Sequence, residues 1–274
     1  MKRLFFLVML LYTNFIHAEE AMEQMEVLKL FESFYDAMKP AEENSQRAFV
    51  WLTDIPHPLF NAVMHLSCAQ VSTTVDALIE KTASRTPLSF WVHPYNRAQG
   101  LIETLKERDF APVITCPLMV WSARPVTVAE SDIRPANGDW EAFNQIIRTA
   151  FHFNELVKDR YAALLEKCPI ENYLIYLGGK PVGTGSLFPY GQKGGIFNIA
   201  TLAEYEGRGC ARSMMQFLMH RAHQLGIQQL VLLSSPKAEG LYRSLEFKKI
   251  VDIDIYTVSI DRVFPHGLLQ RTKN

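Results

Sequence analysis

Between Gly194 and Phe247 an apolar strand runs directly into a glycine-containing turn, Gly207-Arg208-Gly209-Cys210-Ala211, and the turn opens an amphipathic helix. A second apolar strand follows, then a short helix carrying Leu241-Tyr242. At such a junction the unpaired N–H groups of the helix N-terminus and the helix dipole point outward together, which makes an anion site. A tyrosine on the next helix faces the same cleft. The combination implies a group-transfer enzyme that uses a phosphorylated carrier. A dinucleotide reading of Gly207-Arg208-Gly209 fails. Arg212 stands where the third glycine belongs, and no acidic ribose ligand follows a second parallel strand at the expected distance.

The rest of the chain alternates strands and helices. Met25, Leu28, Phe31, Phe34 and Tyr35 recur at helical spacing over 21–38, and Lys39-Pro40 ends that helix. Strands are expected at 47–52, 61–66, 88–92 and 113–121, and helices from Thr74 and Asp76 to Ala83 and over 96–108. Arg124 to Glu130 reads as a linker. A short strand at Ile133 is then followed by a helix capped by Asn137-Gly138-Asp139, with Trp140, Phe143, Ile147 and Ala150 inward. A second helix spans 155–166. Tyr173 to Leu187 reads as a hairpin through Gly178-Gly179, and Gly194-Gly195 as a turn into the strand 196–202. The helix from Gly209 buries Cys210, Met214, Phe217, Leu218, Ala222 and Leu225, with Gly226 past its end. Gln229 to Leu233 reads as an interior strand. Two last strands, 248–253 and 254–259, are expected to close an antiparallel edge.

Segment 206–211, from Glu206 to Ala211, resembles the Gln/Arg-x-x-Gly-x-Gly/Ala coenzyme A loop of the GNAT superfamily, the acyl-CoA N-acyltransferases. Ser234-Ser235 and Leu241-Tyr242-Arg243-Ser244-Leu245-Glu246-Phe247 resemble that family's fifth strand and its Leu-Tyr-x-x-Leu-Gly-Phe helix. The resemblance covers about residues 131 to 260. It implies a mixed α/β sheet fold, with acetyl-CoA as co-substrate, no metal, and transfer of the acetyl group to a primary amine by direct attack. Gly207, Arg208, Gly209, Cys210, Ala211 and Arg212 would hold the pyrophosphate, and Ile199, Thr201, Leu202 and Ser234 would lie beside the pantetheine arm. Tyr242 would act as general acid to the coenzyme thiolate, and Asn198 would hold a water that takes the amine proton. His152 and Glu155 fall where the family places its acceptor-binding helices. Glu206 replaces Gln or Arg and has to turn to solvent. Glu246 replaces Gly and is expected in a left-handed helix-end conformation.

Residues 19–125 resemble a shortened, divergent copy of the same fold. This copy lacks both the glycine turn and the tyrosine, so the chain reads as a degenerate GNAT-like unit followed by a catalytic one at 131–262. The first unit is expected to bind no coenzyme A and to shape the acceptor cleft by packing.

Composition limits the partners. The chain has 274 residues and a formal charge of −1, which gives no basic surface for nucleic acid. Residues 1–18 pair Lys2-Arg3 with an apolar run and end at Ala18, the layout of a secretory signal peptide too short to span a bilayer. Export is therefore expected, with a mis-set start in a cytoplasmic protein as the alternative. Free acetyl-CoA is cytosolic, so an exported chain also admits a non-catalytic, ligand- or partner-binding role. Cys68, Cys116, Cys168 and Cys210 show no metal-ligand spacing. They are expected as buried free thiols, although an exported chain permits two disulfides. The acceptor, a small molecule or a peptide, and the oligomeric state stay open.

Overall fold

The computed structural model describes residues 21–82, 87–95, 98–128 and 130–258. The leader expected at 1–18 and the end of the catalytic unit expected at 131–262 lie outside them. Helix α1 runs over 21–38. The first half continues with β1 (Glu43–Asn44), β2 (Ala48–Leu52), β3 (Asn61–Leu66), α2 (Val71–Thr82), β4 (Ser89–Val92), α3 (Leu101–Glu107) and β5 (Phe110–Ser122). The second half supplies β6 (Asp132–Pro135), α4 (Trp140–Phe151), α5 (Glu155–Leu165), β7 (Glu171–Leu177), β8 (Lys180–Tyr190), β9 (Lys193–Thr201), α6 (Cys210–Gln224), β10 (Gln229–Leu233), α7 (Glu239–Ser244) and β11 (Lys248–Val258).

All the strands join one mixed sheet in the order β1-β2-β3-β4-β11-β5-β10-β9-β8-β7-β6. The order contains a reciprocal exchange. β11, the last strand of the second half, lies between β4 and β5 of the first, and β5, the last strand of the first half, pairs with β10 of the second. The expected pair of closing strands is therefore one strand at the centre of the sheet, not an edge. Its partner β5 carries Pro112 and Pro117, which have no N–H to donate. The β5–β11 ladder shifts register between Lys249 and Val251 and between Ile255 and Tyr256, close to the two prolines.

Side-chain alternation along the central strands splits the core into layers. Leu118 and Val120 of β5 face α1, α4 and α5, whereas Met119 and Trp121 face α6 and α7. On that second side of the first half, Val50, Val63 and Phe90 pack against Val75 of α2 and Leu105 of α3. Helix α1 crosses the seam. Its Phe34 meets Phe188 and Phe197 of the second half, and its Tyr35 meets Trp51 and Trp91 of the first. The indole of Trp51 donates to the Lys39 carbonyl at 2.9 Å, fixing the end of this helix.

Gly194-Gly195 is not a turn but part of β9. The turn is at Gly191, with φ +59°. A Cβ on Gly195 would sit 3.0 Å from the Phe34 ring and 2.5 Å from that of Phe197, so glycine here lets α1 lie close on the sheet. Helix α2 begins at Val71, earlier than Thr74, whose N–H already bonds the Gln70 carbonyl. Helix α3 starts at Leu101 after Gly100, at φ +78°, and 96–97 lie outside the described residues. Leu225, expected inside, is exposed at the end of α6. The four cysteines are free thiols, with Cys116 and Cys210 buried and Cys68 and Cys168 half-buried. Among the described residues no helix is long and apolar enough to cross a membrane.

Candidate active site

Helix α6 begins without a side-chain cap. Its first residue follows Gly209 at φ +81°, and Gly207 stands at φ +73°. Both are left-handed conformations in which a side chain is strained. The space where a Cβ would sit is open at both glycines. Among the described residues, no backbone carbonyl or side chain accepts from the six successive N–H groups of 207–212, while the next, of Ser213, is taken by the Gly209 carbonyl. Six free donors at a helix N-terminus, with no side chain over the glycines, fit a pyrophosphate. Arg208 lies over the Tyr205 ring at 5.3 Å. Arg212 donates to the Ser244 hydroxyl at 2.7 Å, tying α6 to α7. Glu206 turns outward to an ion pair with Lys237 at 2.7 Å, which removes its conflict with an anion. Cys210 is buried under the helix, so only its backbone is available.

Beside this cradle β9 and β10 part. They pair in parallel only from Gln229 opposite Lys193 to Val231 opposite Gly195, although β9 runs on to Thr201 and β10 to Leu233. Their facing edges beyond Gly195 therefore keep unpaired backbone groups. Opposite Gly185 of β8, β9 holds two residues, Asn198 and Ile199, which is a bulge, and Asn198 stands at φ +56°. A network fixes it. The Tyr161 hydroxyl donates to the Asn198 Oδ1 at 2.7 Å, and the Asn198 amide donates to the Ser186 hydroxyl at 3.0 Å. Ser186 donates in turn to Asn172 at 2.6 Å, and Thr184 donates to the Asn198 carbonyl at 2.7 Å.

A cavity of about 240 Å³ runs through this gap. Ile196, Ile199, Leu232, Ser235, Ala238 and Tyr242 line its end toward α6 and α7, while Tyr35, Trp51, Phe60, Trp91 and Phe153 line the other. Tyr242 is buried, and burial pushes its phenol well above the ordinary range, so it is protonated at neutral pH.

The structure thus brings Tyr242, Asn198 and Ile199 to one cavity and sets 207–212 beside it. It does not bring in Ser234, which is buried with its hydroxyl turned to the Ser235 carbonyl and its N–H to Pro117 of β5; Ser235 lines the cavity instead. Thr201 and Leu202 are outside the lining, and the Thr201 hydroxyl is buried without a partner. His152, expected near the acceptor, is exposed at the end of α4 with φ +55°. Glu155 is exposed and paired with Arg148 and Lys158. Neither reaches the cavity. Sequence reasoning missed the lining from α1, β2 and β4 and the role of Tyr161. Their only signal was aromatic residues at helical or alternating spacing, which any core shares.

Residues 140–247 match the Acetyltransferase (GNAT) family. No curated protein matches the sequence. Among solved structures, a GCN5-related N-acetyltransferase from Kribbella flavida is similar at 16% identity and a TM-score of 0.62, over 86% of this chain and 95% of that one. A GCN5-related N-acetyltransferase from Sphaerobacter thermophilus is similar at 14% and 0.60, over 77% and 75%. A tandem GNAT protein from the clavulanic acid biosynthesis pathway is similar at 12% and 0.52, over 77% and 78%. These likenesses span both halves and establish the fold.

Proposed function

We propose, from the premise that residues 140–247 are a GNAT acetyltransferase domain, that the chain transfers an acetyl group from acetyl-CoA to a primary amine by direct attack. The carrying observation is the cavity through the sheet, with a free N–H cradle beside one end and an aromatic lining at the other. The N–H groups of 207–212 hold the pyrophosphate, supported by Arg208 and Arg212. The unpaired edge of β9 beyond Gly195 accepts the pantetheine arm as a pseudo-strand. Ile199, held by the Asn198 bulge, offers its N–H to the carbonyl oxygen as negative charge develops there.

The amine nitrogen attacks the thioester carbonyl carbon, and the C–S bond breaks. Tyr242, buried and protonated at neutral pH, gives its proton to the departing thiolate as the C–S bond breaks and regains one from solvent afterwards. Asn198 keeps one amide N–H and one lone pair beyond its bonds to Ser186 and Tyr161, enough to hold the water that carries off the amine proton. The first half holds the acceptor by packing. Incubating the protein with acetyl-CoA and a panel of primary amines should release free coenzyme A together with an acetylated amine. Tight coenzyme A binding with no amine-dependent release from any member would leave a ligand-binding protein instead.

A further inference from the structure

The chamber remote from Tyr242 is built almost wholly of rings. Tyr35 meets Trp51 at 5.0 Å and Trp91 at 5.8 Å, both edge-on, and Phe60 meets Tyr161 at 4.7 Å and Phe153 at 5.6 Å. Among the described residues, no Asp, Glu, Lys, Arg or His lines any part of the cavity. Its polar side chains, including Tyr35, Tyr161, Asn198, Ser235 and Tyr242, are neutral, and burial pushes all three phenols up.

That lining selects against a charged acceptor. An ammonium entering the chamber would lose its hydration and meet no carboxylate. The rings can attract a cation through their faces, yet an ammonium has no lone pair for attack, and no side chain here is basic enough to strip its proton. A carboxylate on the acceptor would likewise find no cationic partner. Size adds a limit. An apolar cavity of about 150 Å³ already admits one benzene ring, so the cavity of about 240 Å³ holds one ring and the reacting thioester end.

We propose that the acceptor is a monocyclic aromatic primary amine. Its ring sits among Tyr35, Trp51, Phe60, Trp91 and Phe153, and its nitrogen points at the gap between β9 and β10. This inference rests on the acetyltransferase reading of the same cavity. In such an amine the lone pair is shared with the ring, so the nitrogen is unprotonated at neutral pH and reacts without a base in the pocket.

Wild-type protein tests it directly. Aniline and benzylamine differ by one CH₂, but only benzylamine is charged at pH 7. Calorimetry in the presence of coenzyme A should show aniline binding at least tenfold more tightly. With acetyl-CoA, kcat/KM at pH 7 should be at least tenfold higher for aniline than for benzylamine or an Nα-blocked lysine, and flat between pH 6 and 9. A preference for benzylamine or the lysine overturns the inference and leaves the acetyltransferase intact. So does a preference for phenylacetyl-CoA over acetyl-CoA with a small aliphatic amine, since the chamber would then hold the acyl group. If aniline binds but acetyl-CoA does not, the acetyltransferase reading falls, and the acceptor role with it.

Discussion

Two residues carry separable consequences. In the proposed mechanism Tyr242 serves only the departing thiolate, so its proton should matter in the transition state and little in the ground state. Tyr242→Phe should lower kcat by roughly 10²- to 10⁴-fold while leaving the Kd for coenzyme A within about twofold. Unchanged kcat, with chemistry limiting, would remove the phenol from the mechanism. His93 concerns stability. It is buried, among the described residues neither ring nitrogen is paired, and burial, aided by His65, lowers its pKa to about 4. The unfolded chain takes up this proton near pH 6.5 and the folded chain does not, so the stabilisation is present above pH 6.5 and lost as pH falls toward 4. His57, lowered to about 4 by burial, acts in the same direction. His65 has its pKa raised: burial opposes the shift, but the hydrogen bond and charge of Glu32 at 2.6 Å outweigh it. Its contribution is therefore full below pH 6.5 and lost as pH rises through its folded value. His93→Phe should reduce the stability lost between pH 7 and 5 by about 2 kcal/mol, read from urea midpoints. An identical loss in mutant and wild type would place the acid sensitivity elsewhere.

At the scale of elements, the proposed coenzyme site is the strand–turn–helix around α6. Gly209→Trp puts a side chain into the open space over the cradle and should weaken coenzyme A binding at least a hundredfold in a protein that still folds. Unchanged affinity by calorimetry would mean that the pyrophosphate lies elsewhere. No second site is expected in the matching unit of the first half. Segment 67–74, between β3 and the first turn of α2, contains no glycine, and α3 presents buried Leu101 and Leu105 where a tyrosine would be needed. One coenzyme A per chain is expected, and a stoichiometry near two would refute this. The α6 loop was legible in the sequence because glycine is chosen there for its backbone, and a left-handed φ leaves few alternatives. Glu246 at φ +67° was legible for the same reason. The Asn198 bulge was not, since an asparagine in an apolar strand carries no local mark of its conformation. Nor was the aromatic chamber. Phe31 and Tyr35 on one face of a helix, or Trp51 and Trp91 in alternating strands, read as core until tertiary packing leaves a void between them.

Across the whole molecule the exchange of β5 and β11 joins the halves. Side-chain period reports which face of a strand is buried and is silent on which strand lies beside it, so this topology could not be read from the chain. Each half supplies the strand that closes the other, and neither has a complete sheet alone. Residues 131–258 produced separately would expose the β10 edge, where Leu230, Val231 and Leu232 are buried in the full chain. Such an edge invites pairing between molecules. The isolated unit should run as oligomer or aggregate in light scattering; a stable monomer with native coenzyme A affinity would show that the exchange is dispensable. The same feature sets a clock on the ribosome. Domains synthesised first ordinarily fold first, but here β4 and β5 wait for residues 248–258, which emerge only after all of 123–247, and each keeps an unpaired edge until then. Pairing over so long a sequence separation is slow. The nascent first half is therefore expected to need chaperones during translation, and a chain that stops before residue 248 should leave its first half unfinished as well.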